Sequence, residues 1–323
     1  MLSLFRQNIC SFNANKCLTN VFKRNVKNFL VSRSFTNRLS NNESNNSVKT
    51  LIKPLIFTIG FSGTVYTVSI VYNYENSLFG QTFDWRQNFY TIQDNHIKRK
   101  TGSLRNELNK WWQSKDISFK VFSSIAAINV LVFLCWKSQR LHPFMFKYFT
   151  AYFDKQVKCW PMLLSTFSHY SITHLIFNLV VLHSFTKVGI SLFGVEQFVA
   201  LYLSSGVISS YGSYMTKVLL KRSGSSLGAS GAILGILASC CIARPDLELV
   251  IIFLPFFTIS SGMALKAIIA MDSFGVLLGW KLFDHSAHLA GTLFGVWYTS
   301  YGQHFLTQHR HQVIDIWQRI KSI

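Results

Sequence analysis

Acidic residues are scarce in this sequence: 13 Asp and Glu stand against 32 Lys and Arg in 323 residues, and charged residues of both signs make up only 14%. Ordinary soluble domains carry roughly a quarter charged residues, so an ordinary water-facing surface is excluded for most of the chain. Cysteine is used without a pattern. Cys10, Cys17, Cys135, Cys159, Cys240 and Cys241 form neither a disulfide framework nor a metal-ligand spacing. Those inside apolar runs serve as small apolar fillers. The first 42 residues contain no acid, and they lack the long apolar stretch of a secretory signal. The net charge of +19 would suit a nucleic-acid binder. The basic residues, however, form no single face interleaved with aromatics. They gather in the N-terminal segment and between apolar runs, where anionic lipid or import machinery is the simpler partner, and nucleic acid is not expected.

What the chain has in abundance is apolar residues, 49% of the total, with 29 Phe. Residues 1–50 read as a mitochondrial transit peptide and a polar, Asn-rich segment. Arg6, Lys16, Lys23, Arg24, Lys27, Arg33 and Arg38 precede the first acid, Glu43, and Arg33–Thr36 resembles a matrix-peptidase site. An apolar helix is expected within 51–74. Its uncharged run Pro54–Tyr72 has 19 residues, about 28 Å of helix, close to the hydrocarbon thickness. Residues 75–117 read as a polar linker ending in an interfacial helix, Leu104–Trp112, anchored by Trp111 and Trp112.

A block of six apolar runs follows within 118–303: Phe119–Trp136, His169–Ile190, Glu196–Leu220, Gly228–Ala243, Gly262–Trp280 and His285–Tyr301. Between the first two lies an aromatic and basic stretch, Leu141–Trp160, suited to the membrane interface. Leu247–Trp280 is too long for one crossing, about 51 Å as a helix. Pro255 is expected to break it and leave Leu249–Thr258 as a short non-spanning segment. Residues 304–323 form a tail. The fold class is an all-α polytopic membrane protein of one plus six helices.

Three polar groups stand out inside these runs. Gly228-Ala229-Ser230-Gly231 opens a short apolar helix. Such a string is more often packing than catalysis. A serine at a helix start nevertheless has free backbone N–H groups beside it, able to face an oxyanion. His288 lies within a membrane run, where an ionisable side chain points to function. A neutral imidazole suits removal of a hydroxyl proton. The small residues Ala287, Gly291 and Gly295 would let its helix approach that of Ser230. His174 and Asn178 share one face of a third helix, usable either for interhelical hydrogen bonds or for oxyanion stabilisation.

Together, His174-x-x-x-Asn178, Gly228-x-Ser230-Gly231 and Ala287-His288-x-x-Gly291 resemble the rhomboid intramembrane serine proteases. The one-plus-six layout and basic leader resemble the mitochondrial, presenilin-associated rhomboid-like branch. The stretches Pro161–His169, Ser226–Ala232, Ile251–Pro255, Ala264–Asp272 and Phe283–Gly291 carry the likeness. The resemblance implies a six-helix rhomboid bundle with one extra helix, a Ser230–His288 dyad without a third acid, and oxyanion binding by His174, Asn178 and the Ser230 N–H. It implies no cofactor and no metal, transmembrane protein substrates, and a place in the mitochondrial inner membrane.

One departure concerns Leu234. Bacterial members often carry an aromatic there that stacks on the catalytic His, so His288 must be oriented in another way. Asp284, one turn before His288 and near Lys281, is read as a helix N-cap rather than a triad acid, replaceable by Asn at little cost. Two other readings stay open. One is a catalytically inactive rhomboid-fold protein that binds membrane helices. The other is a transporter, for which the repeated pair of broken helices is missing.

Overall fold

The computed structural model describes residues 48–94, 103–152, 158–251 and 254–323. The expected leader, with its cleavage pattern at Arg33–Thr36, lies outside the described residues. The rest is helical, as the composition requires. Among the described residues the only strands are two small antiparallel pairs.

Helix α1, Ile52–Asp94, runs beyond its apolar stretch and through the first half of the expected polar linker. No proline lies between Pro54 and Asp94, so no proline interrupts this helix. Helix α2, Ser103–Gln113, covers the segment expected to be interfacial, and Trp111 and Trp112 are exposed on it. Helix α3, Ile117–Cys135, begins where the Asp116 carboxylate accepts the Phe119 N–H at 2.6 Å.

The aromatic and basic stretch folds as a short helix, α4 (His142–Tyr148), followed by β1 (Ala151–Tyr152). After α5 (Trp160–Leu164), α6 (Ile172–Phe193) and α7 (Val195–Leu219), β1 pairs with β2 (Ser225–Ser226). That pairing ties the interface element to the loop ahead of α8, Ser230–Ala243. The segment around Pro255 is not helical, so the expected break is there. It forms a hairpin of β3 (Glu248–Ile251) and β4 (Leu254–Ser260), with Leu249 opposite Ile259. Helix α9, Ser261–Leu278, starts at the Ser260 cap and ends at Gly279 in the left-handed conformation. Helix α10, His285–Trp297, passes through a wide turn into α11, Gln303–Lys321. The tail is therefore a helix, held to α1 by Lys321 and Trp317 on Glu75, at 2.9 and 2.8 Å.

Helices α1, α3, α6, α7, α8, α9 and α10 fall on the expected runs in the expected order. Four of them, Lys49–Leu78, Ile117–Cys135, Ile172–Phe193 and Ser261–Leu278, are long and apolar enough to cross a membrane. The other three form the middle of the bundle, where length and hydropathy obey different demands. Helix α7 is enclosed by α1, α8 and α10, and its buried face carries Ser204, Ser205, Ser209, Ser210 and Ser213. Small hydroxyl residues let backbones approach closely, which lowers hydropathy while improving packing. The outward faces are apolar instead. Phe256 is 94% exposed, Leu282 82% and Leu277 74%, values that suit lipid and not water. Helix α1 packs along α7, with Phe57 and Phe61 beside Val207, Tyr214 and Val218, and with Tyr66 stacked on Tyr298.

Candidate active site

The loop into α8 is built around Gly228, whose φ of +132° is a region that L side chains rarely adopt. Its N–H donates to the Ser165 carbonyl at 2.9 Å, and a Cβ there would stand 2.6 Å from the His174 ring. The loop is thereby pinned from both sides. Ser230 follows as the first residue of α8, where the backbone N–H groups have no partner inside their own helix.

Helices α8 and α10 meet along a glycine seam. Gly231 and Gly235 on α8 oppose Gly291 and Gly295 on α10, each pair so close that a Cβ on α10 would strike an α8 carbonyl. Ser239 Oγ spans the same seam to the Gly295 carbonyl at 3.0 Å. This approach brings the Ser230 hydroxyl to 2.7 Å from His288 Nε2. The two residues are 58 positions apart in the chain, and their side chains are partly buried.

The third element arrives from α6. The Asn178 amide donates to the His174 carbonyl at 2.9 Å and lies 3.2 Å from His169 Nε2. The Ala229 N–H also points at His169 Nε2, at 3.4 Å. Two donors facing one ring nitrogen make that nitrogen the unprotonated acceptor of a neutral imidazole. His169, which is not among the sequence-derived site residues, therefore links Asn178 to the residue before Ser230. Its ring lies 5.1 Å from that of His174. All four sequence-derived candidates, Ser230, His288, His174 and Asn178, gather around the start of α8.

Asp284 is the N-cap of α10, accepting the Ala287 N–H at 3.1 Å. Its expected neighbour Lys281 is not its partner. The carboxylate instead pairs with Lys217 of α7 at 3.2 Å and accepts the Ser213 and Ser286 hydroxyls at 2.6 Å each. Burial works to raise this carboxyl, yet the Lys217 ammonium, both hydroxyls and the Ala287 N–H together hold it well below the usual carboxylate range. Removing the charge would strand Lys217, so Asn is not the inexpensive replacement that capping alone suggests.

A different acid reaches His288. Asp272 on α9 is fully buried, and its Oδ1 lies 3.5 Å from His288 Nδ1 and 2.7 Å from His285 Nδ1. The sequence did carry a signal for it, since an acid within an apolar membrane run points to function by default. With Leu234 in place of an aromatic on α8, the Phe283 ring lies beside that of His288, at 6.0 Å and 31°. Phe283 comes from the loop before α10.

Residues 156–304 match the family model described as the Rhomboid domain. The presenilin-associated rhomboid-like protein, mitochondrial, of Rattus norvegicus is 46% identical over 282 residues, covering 85% of this chain and 73% of the relative. The Homo sapiens protein of the same name is 45% identical over the same shares. Rhomboid protein 1, mitochondrial, of Saccharomyces cerevisiae is 31% identical over 201 residues, 60% of this chain and 57% of the relative.

Proposed function

This chain belongs to the rhomboid family, in its mitochondrial presenilin-associated rhomboid-like group, as a multi-pass membrane protein, and we propose that it is an intramembrane serine endopeptidase. Its substrates would be inner-membrane proteins of mitochondria, cut in or near their transmembrane segments. The observation that carries this reading is the 2.7 Å contact of Ser230 Oγ with His288 Nε2 across the glycine seam. A serine hydroxyl is a weak nucleophile until a base within hydrogen-bond reach takes its proton.

The chemistry follows from that pair. His288 Nε2 accepts the Ser230 proton as Oγ attacks the scissile carbonyl carbon. The carbonyl oxygen becomes an oxyanion, stabilised by the N–H groups at the start of α8 and by His174 and Asn178. The imidazolium returns its proton to the leaving nitrogen and the C–N bond breaks. Water, activated by the same imidazole, then hydrolyses the acyl-enzyme. Asn178 now spends its amide on His174 and His169, so it would turn to serve the oxyanion.

Helix α8 has 14 residues, about 21 Å, against a hydrocarbon core of about 30 Å. A serine at its N-terminus suits a cut below the membrane surface. A substrate helix must unwind there, because its peptide groups are otherwise bonded to one another. The test is purified protein in detergent with a model transmembrane substrate. Cleavage by the wild type and none by Ser230→Ala supports the reading, whereas equal turnover by both removes it.

A further inference from the structure

The side chains of Asp272, His285 and His288 converge on one buried oxygen. Asp272 Oδ1 faces the Nδ1 atoms of both rings, at 2.7 and 3.5 Å. The other carboxylate oxygen receives no hydrogen bond from any described residue. Burying a carboxylate without compensation costs roughly several kcal/mol, so the His285 hydrogen bond at 2.7 Å, with the His288 ring facing the same oxygen at 3.5 Å, is what makes Asp272 tolerable inside the bundle. The His285 ring fits a notch that only Gly275 leaves open, and it packs edge-on against Trp280 and Phe283. It is thus a fixed clamp on the carboxylate.

The same three side chains are a possible ligand set for a metal ion. The 2.7 Å spacing argues against that use. Two atoms each ~2.05 Å from a tetrahedral zinc are roughly 3.3 Å apart. The observed separation is a hydrogen-bond length.

Resting on the protease reading above, we propose that Asp272 is a positioning residue for His288. Its carboxylate faces Nδ1 at 3.5 Å, favours the proton on that atom, and so selects the tautomer whose Nε2 is free to face Ser230; it takes over the orienting task that an aromatic at Leu234 would perform. His285 holds the carboxylate in place. In the acylation step the proton moves from Ser230 Oγ to His288 Nε2, while Nδ1 keeps its own proton and Asp272 stays ionised. The carboxylate then faces a full imidazolium charge, which it stabilises.

The groups facing His288 are Ser230 on α8, Asp272 on α9, His285 on its own helix, and His174 on α6, which lies within electrostatic reach. Asp284 is engaged by Lys217 on α7.

The experiment compares wild type, Asp272→Asn and Ser230→Ala on a model transmembrane substrate across pH, with histidine ¹⁵N NMR of the wild type in micelles. Asp272→Asn should lower kcat by about 100-fold or more with little change in KM. Its acid limb should move to lower pH, because loss of a neighbouring negative charge disfavours the imidazolium. A merely structural role would reduce the amount of active enzyme and leave that limb where it was, which overturns the proposal. The NMR arm does not depend on the folding of Asp272→Asn. His288, assigned by loss of its signals in His288→Gln, should carry its proton on Nδ1 at neutral pH, and a proton on Nε2 overturns the proposal by itself. Undiminished cleavage by Ser230→Ala would instead remove the protease reading, an outcome the NMR arm does not share.

Discussion

Gly231 on α8 and Gly291 on α10 meet backbone to backbone, so that any side chain on Gly291 would run into the Gly231 carbonyl oxygen. The proposed nucleophile Ser230 directly precedes Gly231, and the proposed base His288 lies three residues before Gly291. Gly291→Ala should therefore act on geometry first. The helices must part by about an ångström, costing at least about 1–3 kcal/mol of stability and lengthening the Ser230–His288 contact. Labelling of Ser230 by a fluorophosphonate should fall steeply. Gly60→Ala on α1, where a Cβ meets nothing within 4 Å, is the control and should keep labelling intact. Equal labelling in both variants would mean that the seam does not set the site.

Ser230→Ala and His288→Ala should each abolish cleavage, and the double variant should be little worse than either one. Residues that act as a unit are not additive. Both side chains are partly buried and lie at helix starts, so the folded fraction should hold. Turnover by Ser230→Ala well above background would contradict this.

Asp284→Asn separates stability from chemistry. Its carboxylate caps α10 and pairs with Lys217, while the hydrogen bond from the His288 N–H goes to its backbone carbonyl, at 3.1 Å. The variant should lose about 2 kcal/mol or more of stability, most of it from leaving Lys217 without its partner. Activity per folded molecule should stay within a few-fold of wild type. The sign with pH follows from a carboxyl held low in the folded state. The contribution is present above the unfolded value of about 3.9 and is lost as pH falls through the lower folded one. Thermal unfolding of wild type and variant should converge below about pH 4. A thousandfold loss of turnover at unchanged folding would instead make Asp284 part of the mechanism.

Asn178→Ala should lower kcat by about 100-fold, the loss typical of removing one oxyanion donor, with KM nearly unchanged. It also leaves His169 Nε2 with only the Ala229 N–H, so a modest drop in stability should accompany it. Single-turnover cleavage checks the chemistry apart from substrate binding. An unchanged rate constant would reassign Asn178 to packing alone.

The helices and most of the site were legible in order along the chain, because each depends on local facts. Apolar runs of spanning length declare themselves by composition, and Ser230, His288, His174 and Asn178 are polar residues in apolar surroundings. The break at Pro255 was legible for the same reason. That the broken segment is a β-hairpin was not, because strand pairing depends on register between two stretches rather than on either alone. The extension of α1 through 75–94 was hidden by its polarity, since hydropathy reports lipid contact and not helix formation.

Which acid serves which histidine belonged to the tertiary structure. Along the chain, Asp284 is the near neighbour of His288, and its role as a cap could be argued from helix geometry alone. Its partner Lys217, 67 residues earlier, could not. Asp272 is 16 positions from His288 on another helix, and only the packing of α9 on α10 sets its carboxylate against the two rings. A side chain's place in an apolar run is written in its neighbours in sequence. Its electrostatic partner is decided by interhelical distances of a few ångströms, over which the energy of a buried charge changes by several kcal/mol or so.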